Sequence, residues 1–331
     1  KDHWLKNGIK SYLEIQYLKK FYPNHLLLGN LPENVKILGI KPLKAFHASK
    51  LKLSERYGLA YHYIYTQNLD QKITTPYHQL SNFNTTAISQ FETGSLLNYS
   101  SEYQGSEHFD LFLKNYLSSN YQKKADGSEF LKALEKATDG NSGFLQRLMN
   151  EKHRVNFNLK SIKKKNQNYN LHLRSRNADL TPLKIQSETR EGYKNTFWKS
   201  ENELSKDSVS IPNKSIYKIV LNDDYIFPET NYRDNYIYTK GLFSNAKKIR
   251  FKLIKDIQNP EYNEIFLTPR LTFNAYDKVL LGLNFKNQGI FDQKFDYSVT
   301  PYYSTGTGKL TGSGAINYSI LPSNSFFRRW N

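Results

Sequence analysis

The sequence contains no cysteine and a single methionine. Without thiols there is no disulfide framework, no thiolate metal site and no cysteine nucleophile. Long apolar runs are also missing, and a bilayer-crossing helix needs about 20 such residues. Acidic side chains are scarce: 30 Asp and Glu stand against 47 Lys and Arg, a formal charge of +17 in 331 residues. That sign attracts anionic surfaces, but the lysines are spread along the chain, so no nucleic-acid partner is expected. The eight histidines never fall three or four residues apart, which rules out an H-E-x-x-H zinc helix within these residues. No signal peptide is visible at the start. The absence of an initial Met and the abrupt end at Arg328-Arg329-Trp330-Asn331 read as a piece of a longer chain.

Aromatic residues, by contrast, are abundant: 15% of the chain, with Tyr 25 and Phe 20. A disordered chain is poor in them. The length allows about two domains at roughly 150 residues each.

The first half carries helical spacing. Trp4, Leu5, Ile9, Leu13, Tyr17 and Leu18 recur at three- and four-residue steps until Pro23 stops them. Leu59 to Leu69 repeats the pattern, and Asp70 to Thr86 reads as a loop. Phe91, Leu96, Leu97, Tyr99 and Tyr103 predict a helix ended by Gly105. Helices are also expected around Phe109 to Leu117, Ser128 to Ala137 and Gly143 to Asn150.

Near His153 the period changes to two. Val155, Phe157 and Leu159 alternate with polar residues, as do Tyr169, Leu171 and Leu173, then Leu183 and Ile185, then Tyr217, Ile219 and Leu221. The expected class is α+β: a helical lobe over 1–152, an antiparallel β-sandwich over 153–262 and further strands over 263–331. These last strands are longer and carry aromatics near their ends. They fit either more soluble sandwich or the start of an outer-membrane barrel, whose strands run about 9–11 residues. Three or four strands cannot close such a barrel by themselves.

Two tempting motifs fail. Gly306-Thr307-Gly308-Lys309 lacks the first glycine and the hydroxyl residue of a phosphate loop, so it reads as a turn. Lys163-Lys164-Lys165 reads as a solvated hairpin turn.

The opening Asp2-His3-Trp4-Leu5-Lys6-Asn7-Gly8-Ile9-Lys10-Ser11-Tyr12-Leu13-Glu14 resembles W-L-N-E-G-x-x-x-Y-x-E, the helix that carries the third zinc ligand of the gluzincin, aminopeptidase N-like, peptidases. Trp4, Leu5, Gly8, Tyr12 and Glu14 match, but the ligand position is Asn7. Phe91-Glu92-Thr93-Gly94-Ser95-Leu96-Leu97 resembles the family's Y-x-K-G-x-x-L-L helix, with Phe91 in place of the Tyr and Thr93 in place of the Lys, while Glu92 and Gly94 support the match. Residues 103–117 resemble the helical continuation. Three later stretches, Pro228–Asn235, Pro269–Asp277 and Tyr297–Gly308, resemble Bacteroidota envelope proteins that join a gluzincin domain to an outer-membrane part.

The resemblance implies a degenerate site. A gluzincin uses three protein ligands on Zn²⁺ and keeps a fourth position for water. Asn7 offers a neutral amide oxygen in place of the carboxylate. Phe91 lacks the hydroxyl that would stabilise an oxyanion, a loss worth about 10²–10³ in rate. The expectation is therefore a non-catalytic, peptidase-like protein with no bound cofactor and no metal. It would sit in a Gram-negative envelope, periplasm or outer membrane, and hold peptide or a protein partner. The alternative is an active zinc aminopeptidase whose H-E-x-x-H lies upstream. A basic surface-binding protein of other ancestry is a third reading.

Overall fold

The computed structural model describes residues 2–124, 126–152, 154–174, 181–204, 208–212, 215–223, 226–239, 247–322 and 327–331. His153, where the hydrophobic period changes, lies outside the described residues.

Helices come first. They are α1 (His3–Phe21), α2 (Leu31–Asn34), α3 (Arg56–Thr66), α4 (Asn82–Thr86), α5 (Thr93–Gln104), α6 (Ser106–Ser119), α7 (Gly127–Ala137) and α8 (Gly143–Asn150). Their boundaries follow local chemistry. The Asp126 carboxylate accepts the Glu129 N–H at 2.9 Å and caps α7. Gly105, at φ +95°, ends α5 where a side chain would be strained. A π-helical turn, Ala87–Glu92, leads into α5, and a short α-helix, α4, replaces the end of the expected loop.

Strands follow: β1 (Leu159–Lys165), β2 (Asn168–Leu173), β3 (Leu183–Thr189), β4 (Lys194–Lys199), β5 (Ser208–Pro212), β6 (Ile216–Leu221), β7 (Tyr236–Tyr238), β8 (Ile249–Lys252), β9 (Asn263–Asn274), β10 (Lys278–Lys286), β11 (Phe295–Ser304) and β12 (Leu310–Tyr318). Among the described residues, the helix within this half is the four-residue α9 (Glu201–Leu204). The lysine run is not a turn. Lys163, Lys164 and Lys165 lie on β1, opposite Asn170, Tyr169 and Asn168, and the turn is Asn166-Gln167. Only Asn166, at φ +54°, needs the left-handed conformation there.

Two compact units result. The first spans 1–27, 52–65 and 69–245; the second spans 28–51, 66–68 and 246–331. These limits differ from divisions at 152 and 262, for a physical reason. The helices and β1–β7 share one apolar cluster that runs from Trp4 and Tyr12 through Leu97 and Phe144 to Leu171, Ile185 and Ile219. Tyr99 on α5 links the two kinds of structure. Its hydroxyl donates to the Pro182 carbonyl at 2.9 Å and accepts the Lys184 N–H at 3.2 Å. Its ring meets Phe227 at 4.6 Å and Trp198 at 5.0 Å. Within this unit the strands form two antiparallel sheets, β1-β2-β5 and β4-β3-β6-β7.

The second unit holds an open five-stranded sheet, β12-β11-β10-β9-β8, antiparallel except where β8 runs parallel to β9. Among the described residues none of the sheets closes into a barrel. Its register is regular. Val279 faces Phe273, Leu281 faces Leu271 and Phe285 faces Leu267. Leu281 also faces Tyr303, and Phe285 faces Val299. Tyr303 faces Leu310, Tyr297 faces Ile316 and Phe295 faces Tyr318. The Gly306-Thr307-Gly308-Lys309 stretch belongs to the turn between β11 and β12, where the Ser304 N–H donates to the Lys309 carbonyl.

Candidate functional site

The two stretches that resemble gluzincin motifs pack against each other. α1 crosses α5 at a contact made of small residues. A Cβ placed on Gly8 would lie 2.2 Å from Thr93 Cγ2, and one placed on Gly94 would lie 2.4 Å from Ser11 Cβ. The indole of Trp4 covers Gly127 just as closely. Thr93 is fully buried in this crossing. Tyr12 is buried too, with its ring 5.1 Å from Phe109. Its hydroxyl donates to Asp110 at 2.5 Å and shares a hydrogen bond with Ser101 at 3.1 Å. Burial and the Asp110 carboxylate together hold its proton far more firmly than in water. Trp4, Gly8, Tyr12, Thr93 and Gly94 thus serve helix packing in this chain.

Glu14 has a different setting. It is part-exposed on α1, accepts a hydrogen bond from the Tyr57 hydroxyl at 3.2 Å and forms longer ion pairs with Lys10 Nζ at 3.8 Å and Arg56 Nη2 at 4.0 Å. The Arg56 guanidinium lies 4.8 Å over the Tyr57 ring and donates to its hydroxyl at 2.9 Å. The far side of that ring system reaches Phe91, edge-on at 4.9 Å. Glu14 and Phe91 are therefore joined through Tyr57. Asn7 is half-buried one heptad before Glu14, two helical turns back on the same flank of α1.

A groove of about 730 Å³ runs along α1 beside these residues. Ile9, Leu13, Tyr17, Leu18 and Tyr57 form its apolar lining, and Lys6, Lys10, Glu14 and Arg56 its charged rim. A zinc ion does not fit this donor set. The one carboxylate in the lining is already engaged by a phenol and flanked by two cations. A dication there would face Lys6, Lys10 and Arg56 with the single carboxylate of Glu14 to offset them. Among the described residues no group of three or more His, Asp or Glu is placed to hold a metal ion.

Glu92 points away from the groove into the protein. It is buried and accepts the Tyr65 hydroxyl at 2.5 Å. Burial pushes its carboxyl up to about 8, and the charge of nearby Asp70 adds to the shift. Asp70 itself is paired with Arg154, through Nε at 3.3 Å and through Nη2, and with Lys152 Nζ at 3.4 Å.

Pro228–Asn235 forms a buried clasp. Glu229 is enclosed and accepts Asn222 Nδ2 at 2.7 Å, Asn235 Nδ2 at 2.9 Å and the Phe157 N–H at 3.0 Å. Asp234 accepts Asn156 Nδ2 at 3.0 Å and Asn158 Nδ2 at 2.8 Å. These bonds fasten residues 156–158 to the segment before β7. Sequence reasoning missed this role, and it missed Arg56, Tyr57 and Tyr65. Nothing in a single sequence pairs those residues with Glu14 and Glu92. Comparison with known proteins finds no family model that matches the chain and no matching curated protein.

Proposed function

We propose that this chain is the non-catalytic, peptidase-like part of a Gram-negative envelope protein, and that the groove along α1 holds an extended peptide or a segment of a protein partner. The arrangement around Glu14 carries the reading. A carboxylate that accepts the Tyr57 hydroxyl and pairs at longer range with Arg56 and Lys10 lines the same groove as Ile9, Leu13 and Tyr17. That combination suits a peptide backbone or amino group at the rim and side chains below. Two other positions disfavour hydrolysis: Asn7 lacks a charge for zinc and Phe91 lacks an oxyanion donor.

The test uses the full-length protein. Metal analysis is expected to find no stoichiometric zinc, and peptide substrates are expected to stay intact. Binding to an arrayed peptide library is expected and should weaken about tenfold in Leu13→Asp and in Arg56→Glu, roughly 1.4 kcal/mol. Asn7→Glu should not create hydrolysis, because Phe91 still lacks its hydroxyl. Equimolar zinc with chelator-sensitive hydrolysis would instead establish the active aminopeptidase.

A further inference from the structure

The sheet β8–β12 exposes an apolar row of side chains on one side, while its other side is mostly polar and only partly covered. Facing partners in an antiparallel pair project to the same side, so the register sorts each strand into two rows. One row is apolar throughout: it takes Leu267, Leu271 and Phe273 of β9 with their partners on β10, β11 and β12. No charged residue occurs in it. Much of it is exposed, with Leu271 at 72%, Phe273 at 68%, Leu310 at 81% and Ile316 at 75%, while Leu267, Leu283 and Phe285 are part-buried. The other row carries Arg270, Thr272, Asn284, Ser298 and Thr300. Arg270 and Thr272 are exposed, and another part of that row is covered. Asn284 is buried, and its Nδ2 donates to Ser298 Oγ and Thr300 Oγ1, both at 2.7 Å.

We propose that this apolar face contacts the acyl chains of a lipid bilayer, with β9–β12 forming part of a transmembrane β-wall. A contiguous patch of this size on a protein surface marks an interface. Three features select lipid over protein. The strands run 12, 9, 10 and 9 residues, the span of a tilted membrane strand, about 9–11 residues. Aromatic side chains occupy both ends of the face, Phe273 and Tyr303 at one and Phe295 and Tyr318 at the other, with Leu271, Leu281 and Val299 between. That is the order of an aliphatic band flanked by aromatic girdles. A protein interface has a polar rim around its apolar centre, whereas the row described here is apolar from end to end. In hydrocarbon an unpaired strand edge is costly, so the edges left without a neighbouring strand among the described residues, that of β12 and that of β9 after Phe266, pair with further strands of the same wall. The inference is independent of the groove on α1.

Tryptophans placed on the two faces of the full-length protein test it, in phosphatidylcholine vesicles with brominated acyl chains. Leu271→Trp, Leu281→Trp and Leu310→Trp substitute exposed positions and should add emission that the brominated chains quench at least twofold. Thr272→Trp and Thr311→Trp, on the opposite face, should add emission that is not quenched beyond the parent protein's. The parent protein should also stay with the vesicles through carbonate and high-salt washes. Equal quenching on both faces, or release by salt alone, would overturn the proposal. So would a lipid-free dimer in sedimentation whose Leu281→Trp emission is already shielded from an aqueous quencher, because a second copy would then cover the face.

Discussion

A carboxylic acid enclosed by protein gives up its proton reluctantly, and Glu92 shows this most clearly. Its ordinary value of 4.5 rises to about 8 in the fold. A raised value means that the folded state holds the proton more tightly than the unfolded chain. The resulting stability is complete below pH 4.5 and is lost as pH rises through 8. Urea unfolding between pH 4.5 and 8.5 should therefore show Glu92→Gln gaining on the parent as pH increases, with the Tyr65 hydroxyl still served by an amide oxygen. A constant offset across the range would refute this account. Leu38 is a second local case. It is 97% exposed and sits at φ +48° in a two-residue turn, where Ile37 and Ile40 exchange both backbone hydrogen bonds. A leucine pays conformational strain there that asparagine or glycine avoids. Leu38→Asn should raise unfolding stability by about 1 kcal/mol, read from the urea midpoint. At this scale the sequence located the motif residues but not their work. Thr93 occupied a motif position, and its burial under Gly8 depends on a contact between distant segments that no local pattern encodes.

Helix periodicity is a local property, which is why α1, α5, α6, α7 and α8 were legible in advance to within a residue or two at most ends. Alternation revealed the strands for the same reason. Pairing was not legible, because it depends on contacts across the chain. β5 joins β2 rather than its sequence neighbours, and β3 lies between β4 and β6. The π-helical turn before α5 was also hidden, since a single turn of six residues is too short to show a period of its own. The α1–α5 crossing gives a sharp element-level prediction. Neither Gly8 nor Gly94 has room for a methyl group. Gly8→Ala should destabilise the protein by about 1–3 kcal/mol despite alanine's better helix propensity. Adding Thr93→Ser removes Cγ2, the atom 2.2 Å from the new methyl, and should recover part of the loss. Thermal unfolding of the two single variants and the double variant measures the coupling. Strict additivity would mean that the helices do not meet at these residues.

The two compact units bury apolar surface very unequally. The first contains the cluster from Trp4 to Ile237. In the second, the buried apolar residues among those described are Leu51, Ile257, Phe266, Leu280 and Phe291, while much of the apolar sheet row lies open. Their different cores predict different responses to the medium, because only the second unit has a large apolar face to gain from a non-aqueous phase. Sequence pattern marks a change of character after 263, whereas the second unit also takes in 28–51, 66–68 and 246–262. The pattern could not anticipate that residues 28–51 belong with those strands, since the link runs through Asp256, whose carboxylate accepts the backbone N–H groups of His47 and Ala48. Tryptophan placement makes the division measurable. Of the 3 tryptophans, Trp4 and Trp198 lie in the first unit and Trp330 in the second. Subtracting the emission of Trp330→Phe from that of the parent isolates the second unit's signal. In aqueous buffer that signal should melt at a lower temperature than the remaining one. A mild non-ionic detergent should raise its midpoint and leave the midpoint of the Trp4 and Trp198 signal unchanged. Coincident transitions that respond equally to detergent would mean that the chain unfolds as one cooperative body and that its apolar sheet face contributes no separate response to the medium.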